Sequence, residues 1–196
     1  NSIYKSSEQF DYNQHVISSY VSTEISMKKG FGLMTGVRYE NTQSSGNWKN
    51  NSESPFKNNY GNLLPSFVIS KSFSPMRSIK FSYNQRIRRP SVRNINTNEN
   101  FDDSRNFTVG NPQLKPTRSE QYEFTLNSFG KILQGSTQLY YKHSNDVIES
   151  FLDTIQNGSS ISTYKNIGET RQLGISFFGS MRLNKLTLRG SFDLYN

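Results

Sequence analysis

The chain has 196 residues, no cysteine, a formal net charge of +8, 32% apolar residues and a mean hydropathy of -0.74. Lack of cysteine excludes disulfides, thiolate zinc sites and cysteine nucleophiles, and no run approaches the roughly 20 apolar residues of a spanning helix. The apolar share is thin for a soluble core of this size, yet 14 Phe and 11 Tyr set at alternating positions are not the composition of a disordered chain.

Alternation with a period of two, which sends successive side chains to opposite faces of a strand, recurs along the sequence and predicts eight strands. The first, about Gln14 to Met27, sets Ile17, Val21 and Ile25 against Ser18, Ser22 and Glu24, with Val16 and Tyr20 as exceptions. Lys28-Lys29-Gly30 turns into a second strand to Thr42, with Phe31, Leu33, Val37 and Tyr39 on one parity and Gly36, Arg38 and Glu40 on the other. A long polar stretch follows, through Trp48 and Pro55 to about Asn62. Leu63 to Phe73 is the third strand, in which Pro65 lacks a ladder donor and belongs near an end or a bulge. Ser74-Pro75-Met76-Arg77 turns into the fourth, Ser78 to Arg88, with Ile79, Phe81 and Tyr83 opposite Lys80, Ser82, Asn84, Arg86 and Arg88.

Arg89 to about Thr117 has no period-two signal and reads as a long loop. The fifth strand, Arg118 to Phe129, opposes Tyr122, Phe124 and Leu126 to Gln121 and Glu123, and a tight turn at Gly130-Lys131 leads to the sixth, with Leu139 and Tyr141 opposite Gln138, Tyr140 and Lys142. A loop around Gln156 to Ser159 precedes the seventh strand toward Arg182, and Asn184-Lys185 turns into the eighth, with Leu186, Leu188, Phe192 and Leu194 on its apolar side.

Connections are short after the odd-numbered strands and long after the even-numbered ones. Outer-membrane barrels have short periplasmic turns, longer extracellular loops, an apolar outside and a wet lumen, so the expected fold is all-β, an antiparallel transmembrane β-barrel segment. One domain over residues 1–196 is expected, located in the outer membrane of a Gram-negative cell and surrounded by its lipid. Tyr39, Tyr83, Tyr122 and Tyr141 would form an extracellular aromatic girdle, and Phe31, Phe73 and Phe129 a periplasmic one. Both chain ends then fall on the extracellular side, and no secretory signal stands at Asn1, so the expectation is a segment of a larger barrel.

The succession Gly36-Val37-Arg38-Tyr39-Glu40-Asn41-Thr42, Asn62-Leu63-Leu64-Pro65-Ser66, Arg88-Arg89-Pro90-Ser91 and Gly110-Asn111-Pro112-Gln113-Leu114-Lys115-Pro116 resembles the barrel region of TonB-dependent outer-membrane receptors. Tyr140-Tyr141-Lys142 with Asp146 and Ile148, and Tyr164-Lys165-Asn166-Ile167-Gly168, extend the likeness over nearly the whole chain. The resemblance implies a barrel of about 22 strands with a plugged lumen, a plug domain and an inner-membrane energy-coupling protein as partners, and active uptake of a scarce, bulky nutrient such as a metal chelate, glycan, vitamin or peptide. The sequence does not name the ligand, and no plug is contained in it.

Arg38, Glu40, Lys80, Arg86, Arg88, Glu123 and Lys142 fall on the polar parity and are expected to face the lumen, where cations pair with carboxylates rather than with nucleic acid. Trp48, Arg89, Asn96, Asp102, Asp103 and Arg105 lie in the two long loops and are the candidate ligand contacts, Trp48 as an exposed aromatic able to stack on a planar ligand. Asn96 to Asp103 is oxygen-rich, but it lacks the glycine and closing glutamate of an EF-hand, so no metal and no cofactor is expected. His15 and His143 sit on the apolar parity, no Gly-x-Ser-x-Gly elbow occurs, and no catalytic residue or enzyme activity is expected. Two alternatives make opposite demands on geometry. A small complete structural or adhesive barrel needs the first and last strands to pair; a soluble carbohydrate-binding β-sandwich needs Phe31, Leu33, Val37, Phe81 and Tyr83 in a dry core.

Overall fold

A computed structural model describes residues 10–49, 55–97, 106–156 and 159–196. Eight long strands form one sheet: β1 (Phe10–Met27), β2 (Phe31–Trp48), β3 (Phe56–Ser74), β4 (Arg77–Arg88), β6 (Thr117–Phe129), β7 (Leu133–Gln156), β8 (Ser159–Leu183) and β9 (Leu186–Tyr195). Between β4 and β6 lie a one-turn helix, α1 (Val92–Ile95), and a three-residue strand, β5 (Asn106–Thr108). The long strands pair antiparallel with their chain neighbours, whereas β5 pairs parallel with β8. Among the described residues β1 and β9 do not pair, so the sheet is open and the small closed barrel is not what this chain builds.

Strands reach well past their expected ends. β2 continues to Trp48, β3 begins at Phe56 and β7 runs on to Gln156, whereas β8 starts at Ser159, where the loop expected around Gln156 to Ser159 ends. Where both faces of a strand are wet, no apolar alternation marks it, and residues 43–48 and 56–62, expected as loop, are ladder all the same.

The register explains the alternation. One row crosses all eight strands as Ile25, Leu33, Ile69, Phe81, Phe124, Leu139, Ile175 and Leu194. The next is Thr35, Phe67, Tyr83, Tyr122, Tyr141 and Leu173, in which Phe67–Tyr83, Tyr83–Tyr122 and Tyr122–Tyr141 ring centroids lie 5.5, 5.0 and 6.4 Å apart. These residues are outward and largely uncovered: Leu139 is 47% and Phe81 38% exposed. Among the described residues no second layer packs on them, which disfavours the sandwich alternative. An apolar band this wide on one face of a sheet is stable only against hydrocarbon.

Val16 and Tyr20, exceptions in the sequence pattern, stand on the polar face. Tyr20 lies across Gly36 on the neighbouring strand, where a Cβ would come within 2.6 Å of its hydroxyl, and Tyr140 covers Gly174 in the same way at 2.3 Å from its ring. The aromatics there fill glycine gaps instead of facing the apolar medium. Pro65 stands where the β3–β4 ladder stops, at Ser66–Asn84, while the β2–β3 ladder runs through it. Lys29 and Gly30, with φ of 62° and 77°, close the first hairpin, and a Cβ at Gly30 would meet the Ser72 carbonyl oxygen at 2.4 Å.

Candidate functional site

Burial on the strands is concentrated on the polar face, above the tyrosine row: Glu40, Thr42, Ser44, Trp48, Asn62, Thr117 and Ser144 are all buried. What covers part of this region are residues 89–97 and 106–116, the described parts of the stretch expected as a long capture loop, which fold back over the wall. Ile95 and Leu114, 3% and 4% exposed, are their apolar anchors. Ser91 caps α1 in a reciprocal pair with Asn94, the Ser91 side chain accepting from the Asn94 backbone N–H and the Asn94 side chain accepting from the Ser91 N–H.

Gly110-Asn111-Pro112 is the clasp. The Gly110 N–H donates to the Asn96 carbonyl at 2.9 Å, and a Cβ on Gly110 would sit 2.3 Å from that oxygen, so glycine is required by close approach. Asn111 Nδ2 donates to the Tyr164 carbonyl at 2.9 Å, Asn58 Nδ2 to the Pro112 carbonyl at 2.6 Å, and the Asn166 side chain bonds both backbone groups of Lys115, at 2.8 and 2.9 Å. One segment thereby ties β3 to β8 across the polar face. Asp146, at a bulge in β7 with φ of 55°, presents its carbonyl to Thr117 Oγ1 and Asn166 Nδ2.

Electrostatics hold the start of the segment. Glu40 Oε1 pairs with Arg38 Nε at 2.7 Å and Oε2 with Arg89, whose Nε also donates to Thr42 Oγ1 at 3.0 Å. Tyr60, in the part of β3 that projects beyond the apolar band, has its hydroxyl pushed above the usual tyrosine range by burial, against the opposing charge of Arg89. On the other face, above the tyrosine row, Glu169 accepts from His143 Nε2 at 2.9 Å and pairs with Arg171 at 2.6 Å, and these two bonds hold its carboxyl below the usual range.

Two recesses stand out on the polar face of the described residues. A cleft of about 430 Å³ lies between Asn58–Asn62 of β3 and Gln113–Pro116, and the buried Asn62 Nδ2 in its wall has no hydrogen-bond partner. A second, of about 400 Å³, is lined by Asn84, Arg86, Arg88, Gln121, Lys142 and Ser144, with no carboxylate in its wall. Among the described residues neither Arg86 nor Lys142 makes an ion pair. With Arg86, Arg88 and Lys142 in its wall, this recess is suited to a carboxylate or phosphate.

The candidate contacts separate accordingly. Trp48 is not exposed: it is 5% accessible at the end of β2, its ring 4.9 Å from Phe10 and 6.0 Å from Phe56, and its Nε1–H donates to Asn96 Oδ1 at 3.4 Å. It anchors the segment because the strand extends beneath it, where a loop was expected. Arg89 and Asn96 are likewise tied to the wall, while Asp102, Asp103 and Arg105 lie outside the described residues. Register puts Arg38, Glu40, Lys80, Arg86, Arg88, Glu123 and Lys142 on the polar face. Sequence reading missed the burial of Ile95 and Leu114; the capping pair Ser91 and Asn94 was the available signal. Among the described residues no group of three or more His, Asp or Glu is placed to hold a metal.

A family model for the outer membrane protein beta-barrel family matches residues 1–196. The chain belongs to that family. Its sheet is a partial barrel wall of the bacterial outer membrane, its banded face turned to lipid and its polar face to the lumen. Solved structures share the fold at low identity. The Serratia marcescens hemophore receptor HasR, in complex with its hemophore HasA and heme, aligns at TM-score 0.79 and 14% identity over 94% of this chain and 34% of the receptor. The copper transporter OprC aligns at 0.73 and 15% over 94% and 29%, and the FrpB iron transporter from Neisseria meningitidis at 0.68 and 16% over 95% and 26%. The chain thus spans about a quarter to a third of the length of these proteins. A search of curated proteins returned no match.

Proposed function

We propose that residues 1–196 are part of the barrel of a TonB-dependent receptor that imports a scarce, bulky nutrient: a metal chelate, glycan, vitamin or peptide. The observation that supports this reading is the stretch Gly110 to Pro116, clasped against the polar face between β3 and β8 with two polar recesses beside it. A small closed structural or adhesive barrel would pair β1 with β9, and among the described residues these strands do not pair. The named solved proteins transport or receive iron, copper and heme, which favours metal chelates within the class.

On this reading the plug and the inner-membrane energy-coupling protein act through other parts of the receptor, and the wall's contribution is passive. Asn62 and the Arg86–Lys142 recess orient cargo or plug, and residues Asn96 to Arg105 complete the capture surface. No residue is assigned a catalytic role. The test is uptake by cells carrying the full-length receptor, using ferric chelates, heme, copper, oligosaccharides, cobalamin and peptides as separate probes. One probe is expected to accumulate, and to stop accumulating when the proton gradient is collapsed. Accumulation that persists without the gradient would identify an open pore and overturn the proposal.

A further inference from the structure

We propose that the hairpin end of this wall binds an anionic phospholipid, with its phosphate on Arg77 and an acyl chain in the groove beside it. Charge is segregated along the chain. No carboxylate occurs from Ile25 to Tyr39, from Pro55 to Thr97, from Phe124 to Asn145 or from Thr170 to Phe192, and each window contains one of the four short hairpins. The hairpins themselves carry Lys28, Lys29, Arg77, Lys131 and Lys185, all exposed. The periplasmic rim is therefore cationic, with no acidic residue to neutralise it locally.

At this rim, on the lipid-facing side, a groove of about 470 Å³ is walled by Phe73, Ile79, Leu126, Leu133 and Phe177, with Arg77 lining one end. Register explains the depression: Arg77 is followed across the sheet by Ser128, Gly135 and Gly179, so the next three strands carry little bulk at that level. Among the described residues Arg77 makes no ion pair. Lys71, the other outward cation nearby, is already engaged, donating to the Lys29 carbonyl and lying 4.1 Å from the Phe31 ring centroid.

The occupant follows from these two chemistries. A guanidinium presents forked donors matched to a phosphate, and the groove is apolar and opens to hydrocarbon. A soluble acidic partner would have to enter lipid to use it. A zwitterionic phospholipid would bring an ammonium group to a rim that offers no carboxylate, whereas an anionic headgroup meets only cations. The inference rests on the lipid-facing placement of this side and is independent of the cargo.

Native mass spectrometry of the full-length receptor in mild detergent, with dioleoyl phosphatidylglycerol or dioleoyl phosphatidylethanolamine added, tests it. Phosphatidylglycerol adducts are expected to be retained preferentially, and Arg77→Gln to lower that retention about tenfold, the loss expected for a charge-assisted bond. Thr137→Phe, which fills the groove without touching the headgroup site, is expected to lower it too. Arg171→Gln, on the same side of the wall at its opposite end, is expected to leave it unchanged. Equal retention of the two lipids, or wild-type retention in Arg77→Gln, would overturn the proposal. Displacement of the lipid by millimolar inorganic phosphate would also do so, by showing a bare phosphate site.

Discussion

Below the Tyr83–Tyr122–Tyr141 row the wall obeys one rule, and above it another. The lower part is held by its two solvents: the row from Ile25 to Leu194 lies against hydrocarbon, and Ser, Asn, Lys and Gln side chains face water within. The upper part, wet on both sides, is held by specific bonds: Glu40 to Arg38 and Arg89, Asn111 to Tyr164, Asn166 to Lys115. Stability below is spread over many interchangeable residues. Above, it is concentrated in a few that cannot be exchanged.

The sharpest way to break this contrast is to place a charge in each part of the wall. Leu139→Lys, in the middle of the band, is expected to cost about 2–4 kcal/mol in unfolding of the full-length protein from lipid vesicles, the price of a lysine near the bilayer midplane. Gln138→Lys, its neighbour on the lumen face, is expected to change stability by less than about 0.5 kcal/mol. Equal effects would mean that the two sides do not face different media.

Next in size is Glu40→Ala. Arg89 would lose its charged partner in a partly covered site, a loss of about 1–3 kcal/mol that should fall on the folded-back segment. Protease cleavage between Arg89 and Pro116 on intact cells should rise while the melting of the barrel stays unchanged. Asn111→Ala removes one hydrogen bond of the clasp, about 1 kcal/mol, and hydrogen exchange should quicken at Val109 to Leu114 alone. Were the whole barrel to loosen in either variant, the segment would be part of the wall's cooperative unit, not an addition to it.

Smallest is Glu169→Gln. Its carboxyl is held below the ordinary range by His143 and Arg171, so what it contributes is present at neutral pH and lost as pH falls through that lowered value. It lies at the surface, and the substitution is expected to leave neutral-pH stability unchanged within error and only to flatten the acid limb of a pH–stability profile.

The same division decided what could be read in the sequence. Leu33, Phe81, Phe124 and Leu139 announce their strands because one face must be apolar, and their alternation marks out the wall without coordinates. Ser44 and Asn58 announce nothing. They stand on a ladder as regular as the others, but water accepts any side chain there and the period-two signal vanishes, so this part of the wall reads as loop, whereas Lys165 falls in the strand expected after Ser159. Trp48 was misplaced for the same reason: once β2 continues to its position, the indole meets Phe10, Phe56 and Asn96 and not the solvent. The clasp at Gly110-Asn111-Pro112 was legible as a turn but not as a bridge, since its partners Tyr164 and Asn58 are remote in sequence and no local pattern reports a non-local bond.

Pro65 is small, yet it governs the shape of the upper lumen. By withholding one amide hydrogen it acts as a zipper stop, so β3 and β4 part company above Ser66 and leave the slit beside Asn58–Asn62 against which Leu114 and its neighbours seat. A residue with an amide hydrogen at that position would let the two strands fasten further up, and the segment that narrows the passage would lose its berth. The opening in this part of the wall thus coincides with the one residue of β3 that has no amide hydrogen to offer.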